Sequence, residues 1–430
     1  MSQGTRLARL RTRRDFLQAE GVLVVTRDPP PPPPPAPGQP PVVPGDPAEG
    51  VELLLSVWDD GQVIALNGHV DLGTGIRTAL AQIVAEELDV AMAQVEMVLG
   101  DTARAPNQGP TIASASIQIH ALPLRQAAAQ ARVWLVERAA TRLGVPAGQL
   151  VVNGGVVQMR EDAASAEWRD DAATRVSYGE LLQGQRIELR LDGGAPVKPV
   201  AEYRVVGQAQ PRVDIPAKAF GELGFVHDMR VPGMLHGRVV RPPYAGADHG
   251  DFIGNTLESV DQSSIAHIPG VRAVVVIRDF VGVVAEREEH AEQAAAELRV
   301  RWKDWPGLPP LEDLGQALRA NPATPRLLVD EGDVDAALAG AAQPMPRTYI
   351  WPYQMHASIG PSCALADWRG GGAQPHALTV YAGTQNPHVL RADLARLLGL
   401  ADMAIEVIRM EAAGCYGRNC ADDEIGRAHV

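Results

Sequence analysis

The stretch Val70-Asp71-Leu72-Gly73-Thr74-Gly75-Ile76-Arg77-Thr78-Ala79-Leu80-Ala81-Gln82 joins a glycine turn directly to a helix. Ile76, Leu80, Ile83, Val84 and Leu88 recur at helical spacing, which predicts an amphipathic helix with one apolar stripe. Upstream, Val51 to Trp58 and Val63 to Leu66 read as strands around the turn Asp59-Asp60-Gly61. Downstream, the Ala-rich run from Leu122 to Leu143 reads as a second helix, stopped by Gly144 and Pro146. Strands and helices in this mixed order indicate the α+β class. A glycine turn at a helix start offers N–H groups and the positive end of the helix dipole to an anion. Most such turns are only turns. This one is neither G-x-G-x-x-G nor the Walker pattern, so an ordinary nicotinamide or ATP site is not supported.

The 430 residues suffice for two to four domains at roughly 100–200 residues each. The 39 Lys+Arg against 52 Asp+Glu leave a formal charge of −13, which argues against a nucleic-acid partner and against a polybasic membrane clamp. Cys363, Cys415 and Cys420 are too few for a disulfide framework or a four-thiolate cluster. No apolar run approaches the roughly 18–20 residues that span a bilayer, so an integral membrane protein is not expected.

The chain divides by composition. Residues 1–28 carry Arg13-Arg14-Asp15-Phe16-Leu17, a pattern like the twin-arginine export signal. The apolar run after it, Gly21 to Val25, is shorter than the roughly 7–15 residues an export segment uses. Both a basic disordered N-terminus and a degenerate export signal remain open, hence a periplasmic location or a cytoplasmic one. Residues 29–50 are a proline-rich linker with seven consecutive prolines, Pro29 to Pro35. Residues 51–200 form a first globular segment, 203–305 a compact α+β unit, 306–342 a second linker, and 343–423 a third block.

Four further loops carry polar or glycine-rich patterns: Asp101-Thr102 with Thr111 to Ser116, Trp351 to Pro361, Gly383 to His388, and Ala412 to Cys420. Small hydroxyl residues such as Ser114 and Ser116 donate to oxygens without bulk, although an N-cap explains one of them equally well. His356 and His388 have no partner at metal-ligand spacing, so hydrogen-bonding or packing roles are expected for both.

Taken in order, these loops resemble the molybdopterin-binding large subunit of the xanthine dehydrogenase/aldehyde oxidase family, in the branch of isoquinoline 1-oxidoreductase and nicotinate dehydrogenase beta subunits. The resemblance covers residues 50–423. It is carried by Val70 to Gln82, Gly100-Asp101-Thr102, Thr111 to Ser116, Tyr203 to Gly207, Asp214 to Lys218, Pro232 to Pro243, the Gln354 and Gln385 loops, and Gly414 to Gly417. It implies a molybdenum-cofactor-binding domain of mixed sheets and helices, in segments 51–200 and 343–423, interrupted by an α/β-hammerhead domain at 203–305. The implied cofactor is molybdenum on a pterin dithiolene, in the cytosine dinucleotide form. Gly73, Thr74, Gly75, Thr78 and Gln82 match one binding segment, and Ser114 and Ser116 another. Gln354 matches the glutamine that bonds an oxo ligand, while Gln385 and the Gly414, Cys415, Tyr416, Gly417 turn match loops of the same pocket. Because the dithiolene holds the metal, no protein ligand to it is expected. The implied reaction hydroxylates an aldehyde or N-heterocycle with oxygen from water. Electrons pass to a small subunit with [2Fe–2S] clusters, with cytochrome c a common acceptor in this branch. A non-catalytic scaffold that kept the fold is the alternative.

Three departures qualify the resemblance. Gly68-His69-Val70-Asp71 replaces a Lys-Val-Glu pattern; Arg418 and Cys420 stand where His and Gly are usual; and no Gly-x-Gly-Glu carries the family's catalytic glutamate. The catalytic base is therefore unassigned, and this chain alone is expected not to turn over. Glu424 to Val430 departs from the family pattern and back-translates to GAG-ATC-GGA-AGA-GCA-CAC-GTC, which contains the start of a common sequencing adapter. We expect residues 424–430 to be adapter-derived and the native reading frame to continue. Sequencing the locus across the Asp423 codon checks this, and a stop after Val430 in native DNA overturns it.

Overall fold

The computed structural model describes residues 4–31, 47–160, 174–243, 255–304, 311–352, 354, 356–370, 377–419 and 428–429. Two short helices, α1 (Gly4–Leu7) and α2 (Arg13–Gln18), precede β1 (Val22–Arg27), β2 (Glu52–Trp58) and β3 (Val63–Asn67). The helix α3 (Ile76–Leu88) then crosses to β4 (Val95–Leu99), and α4 (Ala115–Gln118) leads into the long α5 (Leu122–Leu143). A small antiparallel sheet of β5 (Leu150–Asn153), β6 (Val156–Met159) and β7 (Arg175–Ser177) follows, then α6 (Tyr178–Leu182) and β8 (Arg186–Arg190).

The main sheet of this first segment has the order β4-β3-β2-β1-β8. The N-terminal strand β1 lies inside it, antiparallel to β2 and parallel to β8. Alternation sends Leu23 and Val25 to one face, against Leu80, Val84 and Leu88 of α3 and Leu124, Ala128 and Leu135 of α5. Val22 and Val24 point the other way, where Phe16, Leu10, Ile64 and Leu66 close the opposite face. Val22 to Val25 are fully buried. The structure thus places the second half of the 1–28 stretch within the sheet. The reason is physical: a continuous apolar run of that length suits a strand covered on both faces. Most of the 29–50 stretch lies outside the described residues.

The α3–α5 pair places two carboxylates in the interior. Glu87 pairs with Arg125 at 2.8 Å and Arg132 at 3.3 Å, and also accepts from the Lys198 N–H. Glu86 accepts three successive backbone N–H groups, from Arg204, Val205 and Val206, at 2.8, 2.6 and 2.9 Å. Burial alone would raise the Glu86 carboxyl, but these donors and Lys198 hold it below its ordinary value. Gln82 adds hydrogen bonds to the carbonyls of Val205 and Gln208, at 2.9 and 3.2 Å. Residues 203–208, expected to begin the second unit, are therefore strapped to the first.

Regular structure in the second unit begins at β9 (His236–Val240), after the short α7 (Ile215–Ala219). It continues through β10 (Leu257–Asp261), β11 (Val271–Ile277), β12 (Phe280–Ala285), α8 (Glu288–Glu297) and β13 (Arg299–Trp302). Sheets β11-β12-β9 and β10-β13 close on Ile265, Ile268, Val281, Val283, Ala294 and Leu298. The expected linker carries α9 (Leu314–Ala320) and α10 (Val334–Ala339). In the third unit β14 (Ala364–Trp368), β15 (Leu378–Ala382) and β16 (Ile405–Arg409) form a sheet, order β16-β15-β14. The helix α11 (Pro387–Leu398) covers it through Leu390 and Ala395. Of residues 424–430, only Ala428–His429 are described, as a short strand beside β14.

Glu86→Ala is expected to leave three interior N–H donors unsatisfied and to lower stability by roughly 3 kcal/mol or more, measured by urea denaturation. The sign with pH follows from the depressed folded value. The contribution is complete above the unfolded glutamate pKa of about 4.3 and is lost as pH falls through the lower folded value. The variant's stability should therefore fall less than the parent's over that acid range.

Candidate functional site

Loops from the first and third units meet at the C-terminal ends of β3, β15 and β16. After β3, Asp71 turns its buried carboxylate back on the following loop. It accepts from the N–H groups of Gly73, Gly75 and Arg77 at 2.9, 3.1 and 3.0 Å. Burial would raise this carboxyl, and the three donors bring it below its ordinary value. Gly73 and Gly75 have φ of 96° and 83°, left-handed values that let the loop curl around the carboxylate. Three of the N–H groups that the sequence offers to an anion are thus committed to Asp71. The Gly73 carbonyl is taken by Arg212 at 2.9 Å. Arg212 and Lys218 both bond Asp214 at 2.6 Å and hold its carboxyl far below the usual range, the Arg212 bond being the larger cause.

The hydroxyl of Thr78 accepts from the Val213 N–H at 3.0 Å, and Gln82 holds Val205 and Gln208 as above. Both of these expected cofactor residues therefore grip the 205–213 strap. Thr74 is exposed on the loop.

The second loop is strained. Ala113 and Ser114 both sit at φ 55°, a left-handed pair without glycine at roughly 1–3 kcal/mol each. Ser114 is exposed there. Ser116 is buried, and its hydroxyl meets Nδ1 of His69 at 2.7 Å. The His69 ring stacks on His120 with centroids 4.2 Å apart. Burial first, and then His120, push the imidazole down to about 4, so His69 is neutral at physiological pH.

Gln385 joins the loops. Its buried side chain donates to the Thr111 carbonyl at 2.9 Å and accepts from the Asn419 N–H at 2.5 Å. Its backbone carbonyl accepts from Thr111 N–H at 3.0 Å, and its own N–H donates to the Asn419 carbonyl at 2.8 Å. The Asn419 side chain completes the latch, donating to the Gly383 carbonyl and accepting from Ser362, both at 3.0 Å. A Cβ on Gly383 would lie 2.3 Å from the Ala412 Cβ, so only glycine admits this approach. Thr111 also binds back to the first loop, its hydroxyl accepting from Val70 N–H at 2.9 Å.

The Gly414–Gly417 turn carries left-handed residues at Gly414, Tyr416 and Gly417, with Cys415 buried beneath. His356 bonds the Tyr416 carbonyl at 2.8 Å, and Ser358 the Cys415 carbonyl at 3.1 Å. Gln354 is exposed. His388 is buried on α11 and pushed down to about 3, by burial first and then by Arg391 and Arg13. Cys420 lies outside the described residues.

The structure therefore gathers Thr111–Ser116, Gln385 and Gly414–Gly417, while turning Thr78 and Gln82 to other work and leaving Gln354 exposed. Sequence reasoning missed the working parts of Asp71, His69 and Asn419. An Asn two residues after a glycine turn was the available signal for the last. Among the described residues, no three His, Cys, Asp or Glu side chains cluster as metal ligands. What the loops offer is neutral: backbone amides, carboxamides and hydroxyls. His69 Nε2 and Asn386 Oδ1 complete no hydrogen bond. Such a donor set fits a polar organic group.

The molybdopterin cofactor-binding domain family matches this chain twice, over residues 38–207 and 320–423. The chain is 58% identical over 414 residues to a nicotinate dehydrogenase subunit of Pseudomonas putida (strain KT2440), covering 96% of this chain and 33% of that protein. It is 28% identical over 453 residues to the beta subunit of isoquinoline 1-oxidoreductase from Brevundimonas diminuta, covering 95% of this chain and 56% of that protein. Quinoline 2-oxidoreductase from Pseudomonas putida 86 superposes with TM-score 0.38 at 17% identity, over 48% of this chain and 30% of that one. The chain thus spans a third of the length of the first relative and little over half of the second.

Gln385→Ala is expected to unpair the Thr111 carbonyl and the Asn419 N–H and to destabilise the fold by roughly 2–4 kcal/mol in urea denaturation. Gln354→Ala, at an exposed position, should move stability by less than about 0.5 kcal/mol.

Proposed function

The chain belongs to the molybdopterin-binding large subunits of the xanthine dehydrogenase family, and on that footing we propose that it forms part of a molybdenum hydroxylase acting on an N-heterocyclic aromatic. Two named relatives, one from a nicotinate dehydrogenase and one from an isoquinoline oxidoreductase, support an N-heterocycle over an aldehyde. The observation that carries the reading is the Gln385 latch, which ties a loop of each family-matched segment into one site.

The cofactor in this reading is molybdopterin with a cytosine dinucleotide. Thr111 to Ser114, the backbone of Gly414 to Gly417, and the exposed Thr74 are the residues that would hold it. When bound, it supplies the oxidising centre at which oxygen from water enters the substrate. The role of this chain is to bind and orient. Gln385 and Asn419 fix the spacing between the loops, and His69 holds the Ser116 hydroxyl in one direction. Electrons leave to a partner subunit with [2Fe–2S] clusters, and onward to an acceptor such as cytochrome c. The unit at 203–305, whose strands and α8 span 236–302, takes the place of the hammerhead domain in this reading.

Purification of the complete native protein with its iron–sulfur partner, followed by elemental analysis and turnover with nicotinate and with simple aldehydes, tests the proposal. Stoichiometric molybdenum with heterocycle turnover is expected, and Gln385→Ala should reduce bound molybdenum at least tenfold. A purified holoenzyme free of molybdenum would refute the reading.

A further inference from the structure

The glycine loop and the Gly414–Gly417 turn lie far apart in the chain, yet a line of charged side chains runs between them. It begins at Gly73, whose carbonyl accepts from Arg212 at 2.9 Å. The Arg212 guanidinium grips Asp214 with two of its nitrogens, at 3.0 and 2.6 Å. Asp214 is buried, and the oxygen at 2.6 Å also accepts from Lys218 of α7, again at 2.6 Å. Lys218 in turn lies 3.8 Å from Glu411, which stands three residues before Gly414. Glu411 is only 13% exposed and is paired on its other side with Arg409 at 2.8 Å. The same residue takes the end of the strap through its backbone. Its carbonyl accepts from the Val226 N–H at 2.9 Å, and Phe225 pairs with it as a parallel bridge.

The backbone contact fixes where residue 411 sits, but it offers no route to Gly73. The side chains do. From Arg212 to Arg409 their charges alternate, so removing one leaves its neighbours with an uncompensated charge. Arg212 is held above its ordinary value, first by the Asp214 bond, and Asp71 and Glu411 act in the same direction. The Lys218–Glu411 step is the longest, and there the line is most easily cut. We propose that Glu411 is a positioning residue that couples the Gly414–Gly417 turn to the glycine loop, so that ordering either loop orders the other. The far end of the turn hangs from Gln385 through Asn419, and Glu411 fixes its near end. What this does for a ligand rests on the proposed cofactor reading: a group held by both loops meets a second loop already ordered by its contact with the first.

Hydrogen exchange followed by mass spectrometry, on the complete native protein in its cofactor-free form, tests the coupling. Glu411→Gln keeps the Val226 backbone bond and removes only the charge. It is expected to speed exchange roughly threefold or more both in residues 412–417 and in residues 72–78. Lys218→Met cuts the same step from the strap side and should do the same. The double variant should exchange no faster than either single one, because both remove one interaction. Faster exchange confined to 412–417, with 72–78 unchanged, gives Glu411 a local structural role and overturns the proposal. Additive effects in the double variant overturn it too, since they mean two independent contacts. In the loaded enzyme Glu411→Gln should also lower bound molybdenum severalfold. A parent protein without molybdenum would sink the cofactor reading, and the exchange result would then decide the coupling by itself.

Discussion

The double hydrogen-bonded pairing of Thr111 with Gln385 is the contact on which the rest of the site depends. It joins residues separated by most of the chain, and it does so through the buried side chain of Gln385. A buried amide left unpaired costs about 1–3 kcal/mol. The pairing is therefore close to all-or-none. Once made, it sets the distance between the strained Ala113–Ser114 turn and the Gly414–Gly417 turn, because Asn419 hangs from the same glutamine. Thr102 repeats the arrangement beside it, bonding Val407 through both its N–H and its hydroxyl, at 3.1 and 2.9 Å. Two threonine junctions, one to a loop and one to β16, thus join the first unit to the third.

Much of this was legible in the sequence, for reasons that differ from element to element. The helix α3 showed in its apolar spacing, and α5 in its alanines and its Gly144 stop, because helical periodicity depends on residues close in the chain. Gln385 and the Gly414 turn were found because they sit in distinctive loops. Long-range partners left no such trace. Nothing local to Glu86 announces that it will bind three N–H groups more than a hundred residues on, and so the second unit was expected to begin at 203. Nothing local to Asp71 shows that it will occupy the glycine loop's donors. The strand β1 was not read from the sequence because an apolar run of five looks the same whether it is a weak export segment or a strand covered on both faces.

An acidic chain also manages its interior charge closely. Glu86, Glu87, Asp71 and Asp214 are all buried, and each is met by backbone donors, by arginine or lysine, or by both. Such pairs add little net stability over apolar substitutes, but removing one partner leaves an uncompensated charge inside. They act as address marks that accept the 198–218 segment in one position. In this way, the same carboxylates that make the composition acidic determine how the glycine loop is held.

The parallel pairing of β1 with β8 has a consequence in time. Val22 to Thr26 bond Arg186 to Arg190, so the partner of the first strand is made some 160 residues after it. At the roughly 5–20 residues per second of synthesis, the β1 edge stays open for about ten to thirty seconds on the ribosome. An open apolar edge is the part of a sheet most prone to pair with the wrong chain. During that interval the apolar edge of β1 is open to a chaperone or to another nascent chain.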